Sequence, residues 1–419
     1  MIEQVKKAKQ AALKLATLNT KEKNHALFKI ADAIKNNEQT ILTENRKDVQ
    51  KAIKQNLAKA LVKRLELNVT KLHEIIAGIK SVAYQKDPIG EVLSKTELDQ
   101  GLILSKIICP IGLIGVIFES RPDALVQIST LCLKSGNAVI LKGGSEAENT
   151  NKILFKIIGQ ASGLENWIQL VETREDVKEL LKLDEYINLM IPRGSNALVK
   201  YIKNNTKIPV LGHADGICHA YIDKKADLDM AIKIVKDAKT QYCAVCNAIE
   251  TLLVHKNVAE DILPKIAEAL EGVELRGDEA TLKIIKAKKT TDKDWKTEYN
   301  DLILSIRVVK DLDEAINHIN TFGSHHTDTI ITRDSAAAEE FMQRVDSSST
   351  LWNCSTRFAD GFRYGLGSEV GISTNKIHAR GPVGLEGLTI YKYKLIGKGH
   401  IVADYDTKKF THKKLKWKY

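Results

Sequence analysis

The stretch Val139-Ile140-Leu141-Lys142-Gly143-Gly144-Ser145-Glu146 reads as a short apolar strand running into a glycine turn and then a helix. A lysine at the carboxyl end of a parallel strand, followed by a helix N-terminus, is well placed to meet a nucleotide, although Gly143-Gly144 as a plain turn gives the same pattern. Working outward, similar apolar runs occur at Leu113–Phe118, Ala138–Leu141, Ile187–Ile191, Thr251–Val254, Ile303–Val309 and Thr329–Thr332. Helical stretches follow most of them; one spans Leu228 to Ala238, with its stripe of Leu228, Ala231, Ile232, Val235 and Ala238. This alternation predicts βαβ units and a largely parallel sheet, an α/β fold. The first 85 residues predict helices instead: Val5, Ala8, Ala12 and Leu15 recur at helical spacing, and glycine is absent until Gly78. Two segments, Leu102–Ile108 and Leu388–Leu395, look like strands with no crossover helix nearby. They predict a hairpin or an arm reaching a partner subunit, and an ordinary edge hairpin gives the same pattern.

At 419 residues the chain suits two or three packed lobes. With 43% hydrophobic and 28% charged residues it fits neither a disordered nor a fibrous protein. No apolar run approaches the roughly 18 residues needed to cross a bilayer, and the N-terminus has no signal-peptide core. Six cysteines spread over this length imply reduced thiols in the cytoplasm rather than a disulfide framework. The net charge of +10 is the one hint of a nucleic-acid partner. Part of it is local, with six lysines against one aspartate from Asp406 to Tyr419. Aromatics make up only 5% and no basic stretch interleaves with them, so no nucleic acid and no membrane are expected as partners.

Chemistry can be sought in four places. Gln241-Tyr242-Cys243-Ala244-Val245-Cys246-Asn247 lies between a helix and a strand, where a cysteine can be exposed with an available thiolate. A redox pair or a small core residue are the other readings of those cysteines. Ile191-Pro192-Arg193-Gly194-Ser195-Asn196 is a second strand-to-helix turn, with Ser195 as a candidate N-cap. His213, His219, His325, His326 and Asp328 invite a zinc reading, but no Cys/His set has ligand spacing along the chain, so no metal is expected. Arg357 and Arg380 suit carboxylate or phosphate recognition, or surface ion pairs. No G-x-G-x-x-G and no G-x-x-x-x-G-K-[ST] occurs, which disfavours a standard Rossmann dehydrogenase and a P-loop NTPase.

Taken together, the runs Cys109–Pro122, Ile191–Ser195, Gly212–His219, Cys246–Leu253, Gly323–Asp328 and Lys376–Leu388 resemble the γ-glutamyl phosphate reductase family, within the aldehyde dehydrogenase superfamily. The resemblance spans about residue 5 to 403. It implies NADPH-dependent reduction of L-glutamyl 5-phosphate to L-glutamate 5-semialdehyde, with release of phosphate, in proline biosynthesis from glutamate. It makes Cys246 the expected nucleophile, forming a thioester, with its own N–H as oxyanion donor. It places Lys142 and Ser145 near the adenosine ribose or its 2′-phosphate, Gly194 and Ser195 beside NADP, and Glu298 at the nicotinamide ribose. Arg121, Arg193, His213, Arg357 and Arg380 become candidates for the anionic ends of the substrate.

Two departures from the wider superfamily bear on the chemistry. Val210 stands where many hydrolytic relatives carry a water-activating Glu, and a valine cannot serve as a general base. The turn Glu119-Ser120-Arg121-Pro122-Asp123 replaces one that elsewhere offers an Asn, and its Arg121 can attract the acyl phosphate. Both point to acyl-phosphate chemistry rather than to a non-phosphorylating dehydrogenase that makes a free acid.

The expected architecture is aldehyde dehydrogenase-like. A Rossmann-like cofactor domain takes residues 1–95 and 113–215, and an α/β catalytic domain takes 216–370. Residues 96–112 and 385–405 form a small β oligomerisation arm, and 406–419 a solvated basic tail. A cytoplasmic homo-oligomer is expected, with no kinase segment ahead of the reductase-like part.

Overall fold

Leu113–Phe118 is buried along its whole length, as a central strand covered on both faces must be. The computed structural model describes residues 1–119, 121–213 and 215–416, with residues 59 and 60 described as backbone only. Among the described residues, Leu113–Phe118 pairs in parallel with Ala138–Lys142 on one side and with Leu189–Arg193 on the other, and Ile168–Leu170 completes the sheet beyond Ala138–Lys142. The strands therefore run outward in one direction and then return to the other side of the first. The reversal falls between Leu113–Phe118 and Leu189–Arg193, at whose carboxyl ends open α/β sheets bind ligands. The predicted start of the last strand, Ile187, lies two residues before the observed start at Leu189; Asn188, just ahead of it, donates its N–H to Leu113 O and accepts the Leu113 N–H through Oδ1.

Five N-terminal helices form, as the glycine-poor sequence predicts: Ile2–Leu15, which packs on the sheet, and Thr20–Asn36, Glu38–Lys54, Lys59–Leu65 and Val69–Tyr84, which pack on helices. Asn19 and Glu22 close a capping box at the second, and Asn68 caps the fifth through the Lys71 N–H. Ala26, Leu27, Ile30, Ala31 and Ile34 form the buried stripe of Thr20–Asn36, which packs on Val69–Tyr84 and on Glu148–Ser162.

The second sheet is all parallel, in the order Lys288–Lys289, Glu274–Gly277, Ile303–Val309, Ile249–His255, Cys218–Ile222, Thr327–Ile331, Ser349–Trp352. The helix Leu228–Thr240 connects Cys218–Ile222 to Ile249–His255 and is capped by Asp227. After this sheet the chain returns to the first lobe, and Val370, Val383, Leu385 and Leu388 join its core. The expected partition leaves residues 371–384 unassigned; of these, Val383 belongs to the first core and Ala379 packs against it.

The arm is a separate antiparallel sheet, ordered Thr389–Ile396, Leu102–Pro110, Val92–Asp99, Lys413–Lys414. Two expected boundaries change here. The arm begins at Val92, not 96, because Val92–Asp99 pairs with Leu102–Pro110. Part of the basic tail is also not free, since Lys413–Lys414 pairs with Thr96 and Glu97 as an edge strand. The Thr411 N–H donates to Leu98 O, and Lys408 forms an ion pair with Asp99. Backbone pairing outweighs the solvation that the lysine content predicts; residues 417–419 of that tail lie outside the described residues.

Candidate active site

Cys246 sits in the turn between the Leu228–Thr240 helix and the Ile249–His255 strand, at that strand's amino end. Gly216 precedes Cys218–Ile222, and His326 precedes Thr327–Ile331, so three neighbouring strands of the second sheet present their amino ends together. The turn is held from three sides. A Cβ on Gly216 would lie 2.4 Å from both Cα and O of Cys246, so only glycine allows that approach. The Cys218 thiol donates to Cys246 O at 3.1 Å. Asn247 Nδ2 donates to Ala359 O at 2.9 Å. Among the described residues no acceptor takes the Cys246 N–H, which leaves it available to a ligand oxygen. Cys246 and Cys243 are both half-buried free thiols, whereas Cys218 is buried and its pKa is pushed well above the ordinary thiol value by burial.

Two guanidiniums carry charge toward the thiol. Arg193 ends its strand beside the crevice, and its Nη1 is buried with no partner among the described residues. Burial pulls its pKa down, while the carboxylate of Glu369 and, more weakly, Cys246 oppose that shift. Arg357 is buried and donates through Nε to Gln241 Oε1 at 3.0 Å. Burial and then Arg363 lower its pKa, and Cys246 opposes them. Glu369 is shifted up by burial against the pull of Arg193. His213 binds Ile372 O through Nδ1 at 2.9 Å and meets the His326 ring edge-on at 4.9 Å. Burial lowers the His213 pKa, against the Ile372 carbonyl and the carboxylates of Glu298 and Glu369.

The other predicted residues are placed as follows. Ser195 flanks the helix Asn196–Asn204 without a side-chain cap; its N–H donates instead to Glu119 Oε2 at 2.9 Å across the sheet reversal. Gly194 packs where a Cβ would come within 2.6 Å of the Glu119 carboxyl. Asn196 Nδ2 donates to Asp215 Oδ1 at 2.5 Å and to Glu298 Oε2 at 3.2 Å, which ties Glu298 of the second lobe to the first. Lys142 is half-buried, with its pKa lowered by burial against the attraction of Glu146. Beyond it lies a cavity of about 220 Å³ lined by Gly143, Gly144, Ser145, Asn151, Val171 and Thr173. Its acidic rim, Glu148 and Glu172, pairs with Lys152 at 2.8 and 3.0 Å.

Arg121 is exposed, precedes the helix Pro122–Lys134 and exerts its charge on Arg193. Arg380 is engaged elsewhere: it forms an ion pair with Asp346 at 3.0 Å, and Lys376 reaches the same carboxylate at 2.7 Å. Val210 makes an isolated bridge to Met190 and packs against the first core, with no titratable group of its own. Ser120 and Ala214, both in the quoted motifs, lie outside the described residues. Sequence reasoning did not find Glu119, Glu369 or the nearness of His326 to Cys246. Glu119 stood in a quoted turn without a role, Glu369 in no motif, and only the strand order brings His326 to Cys246.

A nicotinamide dinucleotide fits the first lobe. The Gly143–Gly144 backbone lines that cavity next to Lys142, and Asn151 Oδ1 is buried there with no partner among the described residues.

A sequence profile of the aldehyde dehydrogenase family matches residues 1–284. The γ-glutamyl phosphate reductase of Acetivibrio thermocellus is 59% identical over 97% of this chain and 96% of that protein. The crystal structure of γ-glutamyl phosphate reductase from Thermotoga maritima shares 42% identity with a TM-score of 0.93, over 96% of this chain and 99% of that one. A glyceraldehyde-3-phosphate dehydrogenase from Methanocaldococcus jannaschii, complexed with NADP, shares the fold with a TM-score of 0.67 at 18% identity, over 94% of each chain.

Proposed function

The chain belongs to the aldehyde dehydrogenase family and, within it, to the γ-glutamyl phosphate reductases, and from that premise we propose that it reduces L-glutamyl 5-phosphate to L-glutamate 5-semialdehyde through a thioester on Cys246. It is an oxidoreductase of proline biosynthesis that uses a nicotinamide cofactor. The observation that carries the thioester route is the Cys246 turn, fixed against Gly216 and faced by Arg193 and Arg357.

Cys246 Sγ attacks the acyl carbon as a thiolate, and the carbonyl electrons move onto oxygen. The Cys246 N–H donates to that oxyanion, a stabilisation of the kind worth about 3–4 kcal/mol per donor. The C–O bond to phosphate breaks, and phosphate leaves toward the guanidiniums of Arg193 and Arg357. NADPH, when bound, supplies the hydride that reduces the thioester. The resulting hemithioacetal oxyanion collapses, expelling the Cys246 thiolate and releasing the aldehyde. Val210 offers no base to activate water, so the thioester persists for reduction.

The half-buried Lys142 and the exposed Ser145 favour NADP over NAD by offering a cation and a hydroxyl to a 2′-phosphate. Gly194 and Ser195 lie along the cofactor path, and Glu298 takes the nicotinamide ribose. His213 and Arg121 serve the anionic substrate; Arg380 acts through its ion pair with Asp346, which holds the 371–384 segment. The arm serves subunit association in a cytoplasmic homo-oligomer, and no described helix is long and apolar enough to cross a membrane.

The test is NADPH formation from glutamate 5-semialdehyde, with and without inorganic phosphate, in wild type and Cys246→Ala. Phosphate-dependent turnover that vanishes in the variant is expected. Turnover indifferent to phosphate means that water attacks the acyl-enzyme, and the reading of Val210 fails.

A further inference from the structure

We propose that Cys246, His213 and His326 form a binding site for a zinc-like divalent cation, and that the bound ion caps the nucleophile. Candidate donor atoms of the three side chains all lie within 4.8 Å of one another. They come from three separate segments, and the strand order of the second sheet brings them together.

The imidazoles are arranged as metal ligands are. His213 Nδ1 is engaged with the Ile372 carbonyl at 2.9 Å, which fixes the tautomer that leaves Nε2 with a free lone pair. His326 Nδ1 lies 2.9 Å from Thr327 Oγ1, and its Nε2 is buried with no partner among the described residues. His326 has no exposed surface, so that orphaned nitrogen lies in the protein interior. A buried polar atom without a partner carries a cost that a ligand removes.

Zinc binds thiolate at about 2.3 Å and imidazole at about 2.0–2.1 Å, which puts tetrahedral S···N edges at roughly 3.5 Å. The set is therefore at most about 1.3 Å too wide at its S···N edges, which rotation of the half-buried Cys246 side chain spans, and at most about 1.5 Å too wide at the N···N edge, which the two imidazoles close by moving together. Three protein ligands and one open position is the arrangement of exchangeable zinc sites rather than closed structural ones. The carboxylates of Glu298 and Glu369 act on His213, and Glu369 offsets the charge of Arg193. On binding, the Cys246 thiol gives up its proton to solvent and a sulfur–metal bond forms, with no change of oxidation state. Metal binding rests on geometry alone; that it switches the enzyme off rests on Cys246 as nucleophile.

Cobalt(II) is the probe, added to reduced, chelator-stripped full-length protein. A sulfur-to-cobalt charge-transfer band that saturates at one equivalent and is displaced by zinc is expected. Cys246→Ser abolishes the band. His326→Gln weakens cobalt binding by at least about 10–100-fold, the loss that even an outer-shell substitution causes. Far-ultraviolet circular dichroism establishes that each variant is folded. Cys218→Ser keeps the band, although its sulfur lies 3.8 Å from His326 Nδ1. The proposal is overturned if wild type gives no sulfur band in excess cobalt, if Cys246→Ser retains it, or if Cys218→Ser removes it. Stoichiometric zinc should stop turnover and a chelator restore it; a full band with unimpeded turnover defeats the capping role. Failure of the substrate assignment leaves the cobalt spectrum untouched, so the two readings fail separately.

Discussion

At the scale of single residues, the most constrained contact is between two backbones, Gly216 and Cys246. A methyl at Gly216 would lie 2.7 Å from Cys246 Cβ as well as 2.4 Å from its Cα and O, so the turn itself must shift. Gly216→Ala should lower kcat by about 10²-fold, the penalty of misplacing a reacting group by an ångström, while dinucleotide binding in the first lobe persists. Steady-state kinetics with a fluorescence titration of NADPH checks this, and an unchanged kcat would sink the close-approach argument. Cys246 and Gly216 both stand in motifs that the sequence displays. Arg380 was legible only as a cation; its pairing with Asp346 depends on a fold in which residues 346 and 380 meet. Glu119 stood in a quoted turn, but its role was illegible for a related reason, since nothing along the chain shows that Ser195 donates to it.

At the scale of elements, central strands were the easiest to read. Leu113–Phe118 and Ile303–Val309 are apolar runs bounded by polar turns, and both appear with the predicted limits. Edge pairing was harder, because Lys413–Lys414 is held through its backbone and its side chains announce solvent. The junction between lobe and arm turns on Asn137, which is fully buried. Its Oδ1 accepts the Gly112 N–H at 2.8 Å, where Leu102–Pro110 gives way to Leu113–Phe118. Its Nδ2 donates to Leu388 O at 2.8 Å, the residue before Thr389–Ile396. One amide thus ties both roots of the arm to the start of Ala138–Lys142. Asn137→Ala strands a buried donor and acceptor and should cost about 1–3 kcal/mol. The urea midpoint should fall, and amide exchange should quicken in residues 103–110 and 389–396; protection unchanged there would refute the anchoring role.

At the scale of the whole molecule, stability is linked to pH through groups far from Cys246. His318 lies against Trp295, Phe322 and His219, and Arg307 Nη1 lies 3.1 Å from its Nδ1. Burial, His219 and Arg307 push its pKa down to about 2. The unfolded chain therefore binds a proton below about pH 6.5 that the fold refuses, and stability falls as pH drops through that point. The loss is at most about 1.4 kcal/mol per pH unit. Glu250, pushed up to about 7 by burial against Lys239, has the opposite sign: its contribution is complete below about 4.5 and is lost as pH rises through 7. His318→Gln keeps an acceptor for Arg307 but cannot titrate. Its melting temperature should fall less than that of wild type between pH 7 and pH 5, and parallel curves would exclude His318 as the proton sink. The assembly order of the arm has a further consequence, in time rather than space. Its first two strands leave the ribosome as a hairpin with both edges open, and Thr389, 279 positions after Pro110, begins the strand that covers one of them. At about 5–20 residues per second that is roughly 15–55 s of synthesis. On polysomes, neighbouring nascent chains carry the same unpaired edges at the same moment, so crowding of translating ribosomes is where this sequence is most exposed to cross-chain strand pairing.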